Sequence, residues 1–182
     1  MVQFMRNPLF SAFSATVLLL AFVLSAQASE KQFYSDIQGR WSGPGSIVAG
    51  KFKGTKFTCT FDGLTPEKLT GMSIDGNCRV GLFSQVMNAS FTRSSKGYSG
   101  KFLDGEAGEG MDIIGGRYTS SKLVVDIKRK DLRGVMVARL NEDDKLNVTI
   151  SVKVRDRLVP VIGMSLKRNG PPVNKTAKNS VE

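Results

Sequence analysis

The sequence predicts an all-β fold: a single antiparallel meander β-barrel of about 8–10 strands, with a β-sandwich as the alternative. Apolar and polar side chains alternate with a period of two in many short segments, as they do in half-buried strands. Turn-forming residues separate these segments, and no segment shows convincing helical periodicity. Because the connections are short, they favour a meander, and closing the sheet into a barrel would leave no exposed edge strand.

The N-terminal segment has the composition of an export signal. Arg6 provides a positive charge, residues 12–24 are almost wholly apolar, and Ala26-Gln27-Ala28 matches a cleavage site. We therefore predict a signal peptide over residues 1–28 and export, most naturally to a bacterial periplasm. No later segment is apolar enough to cross a bilayer as a helix, and the outward-facing charges argue against a transmembrane barrel. The processed chain is thus not expected to span a membrane.

The first predicted strand contains the one tryptophan, Trp41. Gly39 and Gly43 flank it at two-residue spacing, on the same face of a strand, and so leave room for its ring. The segment Gly43-Pro44-Gly45 predicts a bulge or turn that breaks this strand. Residues 29–35, which precede the strand, are expected to form a loose lead-in.

Both cysteines fall in the strands that follow. Phe57, Cys59 and Phe61 alternate with polar residues, Asp75-Gly76 predicts a hairpin turn, and Cys78 begins the next strand. An even cysteine count in an exported chain predicts a Cys59–Cys78 disulfide. This bond would close a loop of about 20 residues and stabilise the fold by about 3 kcal/mol in the chain-entropy model. A redox pair would show Cys-x-x-Cys spacing, which is absent.

The second half of the chain alternates more regularly. Apolar residues that share a face recur in Cys78–Leu82, Met87–Phe91, Tyr98–Phe102, Met111–Ile114, Leu123–Ile127, Met136–Leu140, Leu146–Val152 and Ile162–Leu166. The β-barrel domain is therefore predicted to cover residues 29–167. The polar residues 168–182 predict a disordered C-terminal tail, because they include Pro171-Pro172 and little that could be buried.

The composition limits the chemistry. The chain has 26 Lys and Arg against 16 Asp and Glu, a net charge of +10, and no histidine. An exported protein with this charge favours anionic partners such as lipid head groups or acidic polymers, and the compartment argues against nucleic acid. Without histidine, Ser-His-Asp and Cys-His catalysis and histidine-ligated zinc or haem are excluded. We expect a protein that is not an enzyme and that has no metal or other cofactor.

Two sets of residues are candidates for binding. If two basic corners lie at the same end of the barrel, they form an anion-binding rim of Lys128, Arg129, Lys130, Arg133, Arg155 and Arg157. Scattered solubilising charge is the alternative. The aromatic set, which either fills the barrel core or lines a pocket, consists of Trp41, Phe57, Phe61, Phe91 and Phe102.

The Gly39-Arg40-Trp41 start resembles the first strand of calycin-type barrels such as lipocalins and avidins, in which the tryptophan packs against the closed end. The bacterial periplasmic metalloprotease inhibitors, one subgroup of calycins, have an early tryptophan strand and a single disulfide, as in Cys59…Gly76-Asn77-Cys78 here. This chain is longer and lacks an obvious N-terminal segment for insertion into a protease. No functional residue is therefore carried over from the family.

Three functions follow from these observations. The first is a non-enzymatic barrel that binds a small amphiphilic or anionic ligand, or an envelope component, with its head group on the rim. The second is an envelope protein-interaction module, including a protease-inhibitor-like role, in which the barrel is filled. The third is an enzyme that uses the carboxylates of Asp104, Glu106 and Glu109. It is disfavoured, because neighbouring glycines work against precise placement.

Overall fold

The computed structural model describes residues 29–66, 69–95, 97–103, 110–119 and 121–171. Within these residues the chain forms one short helix, α1 (residues 29–37), and ten strands. The strands are β1 (Gly39–Ile47), β2 (Lys56–Leu64), β3 (Gly71–Val80), β4 (Phe83–Ser94), β5 (Gly97–Leu103), β6 (Met111–Thr119), β7 (Lys122–Arg129), β8 (Leu132–Leu140), β9 (Lys145–Val154) and β10 (Arg157–Gly170).

The ten strands form one closed barrel. Each strand pairs with its neighbours in the chain, and β1 pairs with β10 to complete the ring. All ten pairings are antiparallel. The prediction of an all-β antiparallel meander barrel is therefore confirmed, and the sandwich alternative is wrong.

The meander gives the barrel two different ends, because successive connections alternate between them. The end formed by the β1–β2, β3–β4, β7–β8 and β9–β10 connections is called the basic end. The opposite end, where α1 leads into β1, is called the capped end. Residues 104–109, between β5 and β6, lie outside the described residues.

The helix α1 was not predicted, since residues 29–35 were expected to form a loose lead-in. Its four buried residues are Glu30, Phe33, Tyr34 and Ile37, at the i, i+3, i+4 and i+7 spacing of one helical face. The Phe33 ring lies 5.1 Å from the ring of Tyr118, between centroids. This spacing was the one available signal, but α1 is too short for periodicity alone to separate a helix from an irregular segment, so the sequence did not predict it.

Two predicted turns lie inside strands instead. Gly43-Pro44-Gly45 stays within β1, opposite residues 57–59 of β2, and Asp75-Gly76 stays within β3, opposite Asp62 and Phe61. A Cβ atom at Gly45 would collide with the Phe57 ring, and one at Gly76 would lie 2.6 Å from Cδ1 of Phe61. Gly45 thus makes room for an aromatic ring, and Gly76 allows the close approach of the Thr60 carbonyl as well as of the Phe61 ring. Sequence alone does not distinguish such a role from a turn.

The last strand runs beyond the predicted domain boundary. β10 ends at Gly170, so Arg168 and Asn169 belong to the barrel rather than to the predicted tail. The predicted signal peptide (residues 1–28) and the remainder of the predicted tail (residues 172–182) lie outside the described residues. In the part of the chain that the structure describes, no helix is long and apolar enough to cross a membrane.

Candidate functional site

Trp41 and Arg168 tie the helix to the capped end. The indole Nε1 of Trp41 donates a hydrogen bond to the carbonyl oxygen of Ile37 at 2.9 Å. The guanidinium of Arg168 lies 4.3 Å from the centroid of the Trp41 ring and donates to the carbonyl oxygens of Gln38, at 2.7 Å, and Asp36. These bonds satisfy carbonyl groups that the end of a helix leaves without partners. The first and last strands are thereby joined beneath α1.

A buried carboxylate completes this closure. Glu30 is 6 % exposed and accepts hydrogen bonds from the hydroxyl of Tyr98 and from Nη1 of Arg93. Burial, followed by the hydrogen bond to Glu30, raises the pKa of Tyr98 to about 12. Burial also raises the pKa of the neighbouring Tyr34. Since the charge on Glu30 is paired and hydrogen-bonded, its burial is compatible with a stable capped end.

The barrel interior is apolar and nearly full. It encloses a cavity of about 80 Å³, and its lining includes four of the five predicted aromatic residues: Trp41, Phe61, Phe91 and Phe102. The fifth, Phe57, is half-buried and packs against the core closer to the basic end. Ligand pockets commonly measure roughly 300–1,000 Å³, so this set mainly fills the core. Three methionines in the lining, Met72, Met136 and Met164, make the cavity adaptable in shape.

Cys59 and Cys78 form the predicted disulfide. They face each other across β2 and β3, with their Cα atoms 4.0 Å apart. Cys59 is fully buried, and its Sγ lies 3.8 Å from Sδ of Met164. The bond thus links two strands at the inner face of the barrel.

The predicted basic corners lie together at the basic end. All six rim residues belong to the β7–β8 and β9–β10 hairpins, which share this end. Within residues 48–56, 79–83, 128–133 and 153–158 the cations are Lys51, Lys53, Lys56, Arg79, Lys128, Arg129, Lys130, Arg133, Lys153, Arg155 and Arg157. The only acidic residues in these four segments are Asp131 and Asp156. Residues 104–109 add Asp104, Glu106 and Glu109 in sequence, which leaves the excess positive.

Apolar side chains are exposed at the same end, a feature that the sequence analysis missed. Leu82 was predicted to face inward in a strand, but it lies in the β3–β4 turn and is 93 % exposed. Phe83, next to it, is 83 % exposed. Gly81 was the available signal, because glycine favours turns and side chains in the connections between strands lie at the surface.

A broad open groove lies on the barrel wall near the basic end. It measures about 680 Å³ and is bordered by residues of β10, β1, β2 and β3. Lys56 and Arg79 contribute cationic groups to its lining, and Phe57 and Met164 contribute apolar surface. Met164 also lines the interior cavity, so the groove and the cavity meet at this side chain.

No group of three or more His, Cys, Asp or Glu side chains within the described ranges could hold a metal ion. No known protein-family model matches the sequence, and no curated protein matches it significantly. The calycin resemblance therefore stays a prediction.

Proposed function

We propose that this protein is exported to a periplasm and binds an anionic or amphiphilic component of the cell envelope at its basic end, without catalysing a reaction. The observation that carries the proposal is the placement of eleven Lys and Arg, against two Asp, in four described segments that share one end of the barrel. Such a concentration of one charge sign raises the local concentration of anions and speeds their association.

The groove supports binding of an amphiphile rather than of a simple anion. Lys56 and Arg79 would hold an anionic head group, while Phe57 and Met164 would contact an apolar tail. A cavity of about 80 Å³ is too small for a long acyl chain, so the open groove is the better site for it. Rearrangement of Met164 would extend the groove toward the interior.

Monomeric lysolipids below their micelle concentration test this proposal. We expect fluorescent lysophosphatidylglycerol to bind more tightly than lysophosphatidylcholine, and the difference to shrink with added salt. The double variant Lys56→Ser/Arg79→Ser should weaken binding of the anionic probe by about tenfold, since exposed charge contacts contribute about 1 kcal/mol each at most.

The matched control is Arg117→Ser/Arg139→Ser. It removes the same charge from exposed positions near the capped ends of β6 and β8. Equal losses in the two double variants would show a net-charge effect without a site. Equal affinity of the unchanged protein for both lysolipids would contradict the proposal.

The alternative function is an envelope protein-interaction module, which the exposed tip at Leu82 and Phe83 favours. Photocrosslinking from position 82 in intact envelopes separates the two functions. An interaction module should give a protein adduct of one defined mass, whereas ligand binding in the groove predicts no such protein adduct.

A further inference from the structure

We propose that the basic end docks on a bilayer: its apolar turn tips enter the lipid interface, and its cations hold anionic head groups. The inference rests on the proposed function and deepens it, because it names a lipid surface as the envelope component. It is supported by the set of exposed apolar side chains at the turns, which have no part in ligand binding by the groove.

Exposed apolar side chains are concentrated at this end. Of the eleven large hydrophobic residues exposed in the described parts of the chain, eight lie within two residues of its turns: Val48, Phe52, Val80, Leu82, Phe83, Leu132, Val154 and Leu158. Phe52 is 63 % exposed. An apolar concentration of this kind on a folded protein marks an interaction surface rather than ordinary scatter.

Two hairpins at this end project beyond the barrel wall. Residues 79–86 of β3–β4 are exposed without exception, and so are residues 153–158 of β9–β10. Successive strand residues point to opposite faces, so a strand in the wall always buries one of them. Because neither face is buried here, the tips stand clear of the core and can enter a lipid interface while the barrel stays folded.

Cations flank the apolar tips along the chain. Phe52 lies between Lys51 and Lys53, with Nζ of Lys51 5.6 Å from the centroid of its ring. In the β9–β10 hairpin, Lys153, Arg155 and Arg157 alternate with Val154, Asp156 and Leu158. Apolar groups that insert, beside cations that remain at head-group depth, are the pattern of interfacial membrane binding.

The spacing of the tips favours a bilayer over a protein or a soluble ligand. They come from four turns distributed around the rim, with β5 and β6 between the second and third of them. A planar lipid surface can receive separated tips at the same time, and anionic lipids attract each nearby Lys or Arg with about 1 kcal/mol, or roughly fivefold in affinity. We therefore commit to an anionic bilayer as the partner.

A tryptophan reporter tests insertion directly. The one native tryptophan, Trp41, is buried at the capped end and should be unaffected by vesicles. We expect Leu82→Trp to shift its emission to the blue on vesicles containing phosphatidylglycerol, and brominated acyl chains to quench it. Leu69→Trp, at an exposed position of the capped end, is the matched control and should not respond. Equal quenching of both variants, or of neither, overturns the inference.

Removal of the tip side chains gives a second measurement. Leu82→Ser/Phe83→Ser should lower partitioning onto phosphatidylglycerol vesicles by about tenfold. The two substitutions remove apolar surface that insertion would transfer from water into the lipid interface. Leu69→Ser should leave it unchanged. Vesicle binding that is equally strong in the tip variant would show purely electrostatic adsorption and would overturn insertion.

The two proposals fail in different ways. If the unchanged protein binds the anionic lysolipid but not the anionic vesicles, bilayer docking is wrong and the groove proposal stands. If it binds neither, the proposed function is wrong as well.

Discussion

The two ends of the barrel differ in almost every physical property. At the capped end, α1 and its contacts bury aromatic rings, a carboxylate and the terminal carbonyls of a helix. At the basic end, cations and apolar side chains are exposed together on projecting turns. The contrast teaches that the stabilising contacts of a meander barrel can be concentrated at one end. The side chains at the other end are then not needed for packing and can contact a partner.

The charge balance follows the same division. The described residues of α1 and of the capped-end connections contain one Lys against five Asp and Glu, whereas the four described connections of the basic end contain four Lys and Arg against two Asp. Ion pairs join some of the capped-end groups, such as Arg93 with Glu30 and Arg168 with Asp144. The positive excess of the protein is thus a property of one end, not of the whole surface.

Turns at both ends of the barrel hold non-glycine residues at positive φ: Ser121 and Asp144 at the capped end, and Lys130 and Arg155 at the basic end. Lys130 and Arg155 have φ angles of 53° and 55° in the two-residue turns β7–β8 and β9–β10. This conformation costs an ordinary L-residue about 1 kcal/mol, and glycine avoids the cost. The two ends therefore do not differ in this backbone conformation; they differ in the residues that adopt it, which are both cations at the basic end.

The largest expected effect tests whether stability resides at the capped end. Trp41→Ala should lower the free energy of unfolding by about 3–5 kcal/mol, because it leaves a cavity and removes the contact with Arg168. Phe83→Ala, at the basic end, should change it by no more than about 0.5 kcal/mol. Urea denaturation followed by circular dichroism measures both. Similar losses at the two positions would remove the distinction between the ends.

Loss of the disulfide is next in size. Reduction of Cys59–Cys78, which closes a chain separation of 19 residues, should lower the free energy of unfolding by about 3 kcal/mol. The comparison is urea denaturation with and without a reductant, and Cys59→Ala/Cys78→Ala serves as the control that reductant cannot affect. Unchanged stability after complete reduction would mean that the strand pairing needs no covalent link.

Alkaline pH should weaken the capped end selectively. The pKa of Tyr98 is about 12 in the folded protein and 10 ordinarily, so the unfolded chain loses this proton first. The stability that the neutral phenol contributes is fully present below pH 10. It is lost as the pH rises from 10 to 12, by roughly 3 kcal/mol in all.

The control for this pH effect is Tyr98→Phe, which should show a smaller decline over the same interval although it is less stable at neutral pH. Titrating groups remote from Tyr98 are common to both proteins and cancel in the difference, whereas Tyr34, whose raised pKa depends in part on Tyr98, contributes to it. Parallel declines measured by urea denaturation at pH 9, 10 and 11 would contradict the assignment to Tyr98.

The smallest effect distinguishes stability from binding at the basic end. Lys130→Gly should raise the free energy of unfolding by up to about 1 kcal/mol, because glycine tolerates the positive φ. The same change should weaken binding to anionic vesicles by roughly fivefold, since it removes one cation. Thermal denaturation and vesicle sedimentation measure the two effects. A stabilised variant that still binds with full affinity would remove Lys130 from the docking surface.

Much of the barrel was predictable because its signals are local. Alternation in segments such as Leu123–Ile127 and Leu146–Val152 identified strands, since one face of each had to be buried. The cysteine count predicted the disulfide for the same kind of reason, because two thiols in a chain that is expected to be exported have few alternatives. The glycines were predicted less well: Gly76 appeared as a turn residue, but it allows the close approach of the neighbouring β2 backbone at Thr60 and of the Phe61 ring.

The sequence by itself determined that this chain consists of antiparallel strands and carries a large positive charge, since periodicity and composition need no knowledge of distant contacts; the closure into a barrel rather than a sandwich was seen only in the structure. Only the tertiary structure decided where that charge lies and what surrounds it. In an antiparallel meander every second connection lies at the same end of the barrel. Turns far apart in sequence, such as 51–54 and 155–156, therefore meet at one end. Likewise, Arg168 lies over Trp41 only because closing the barrel pairs the last strand with the first.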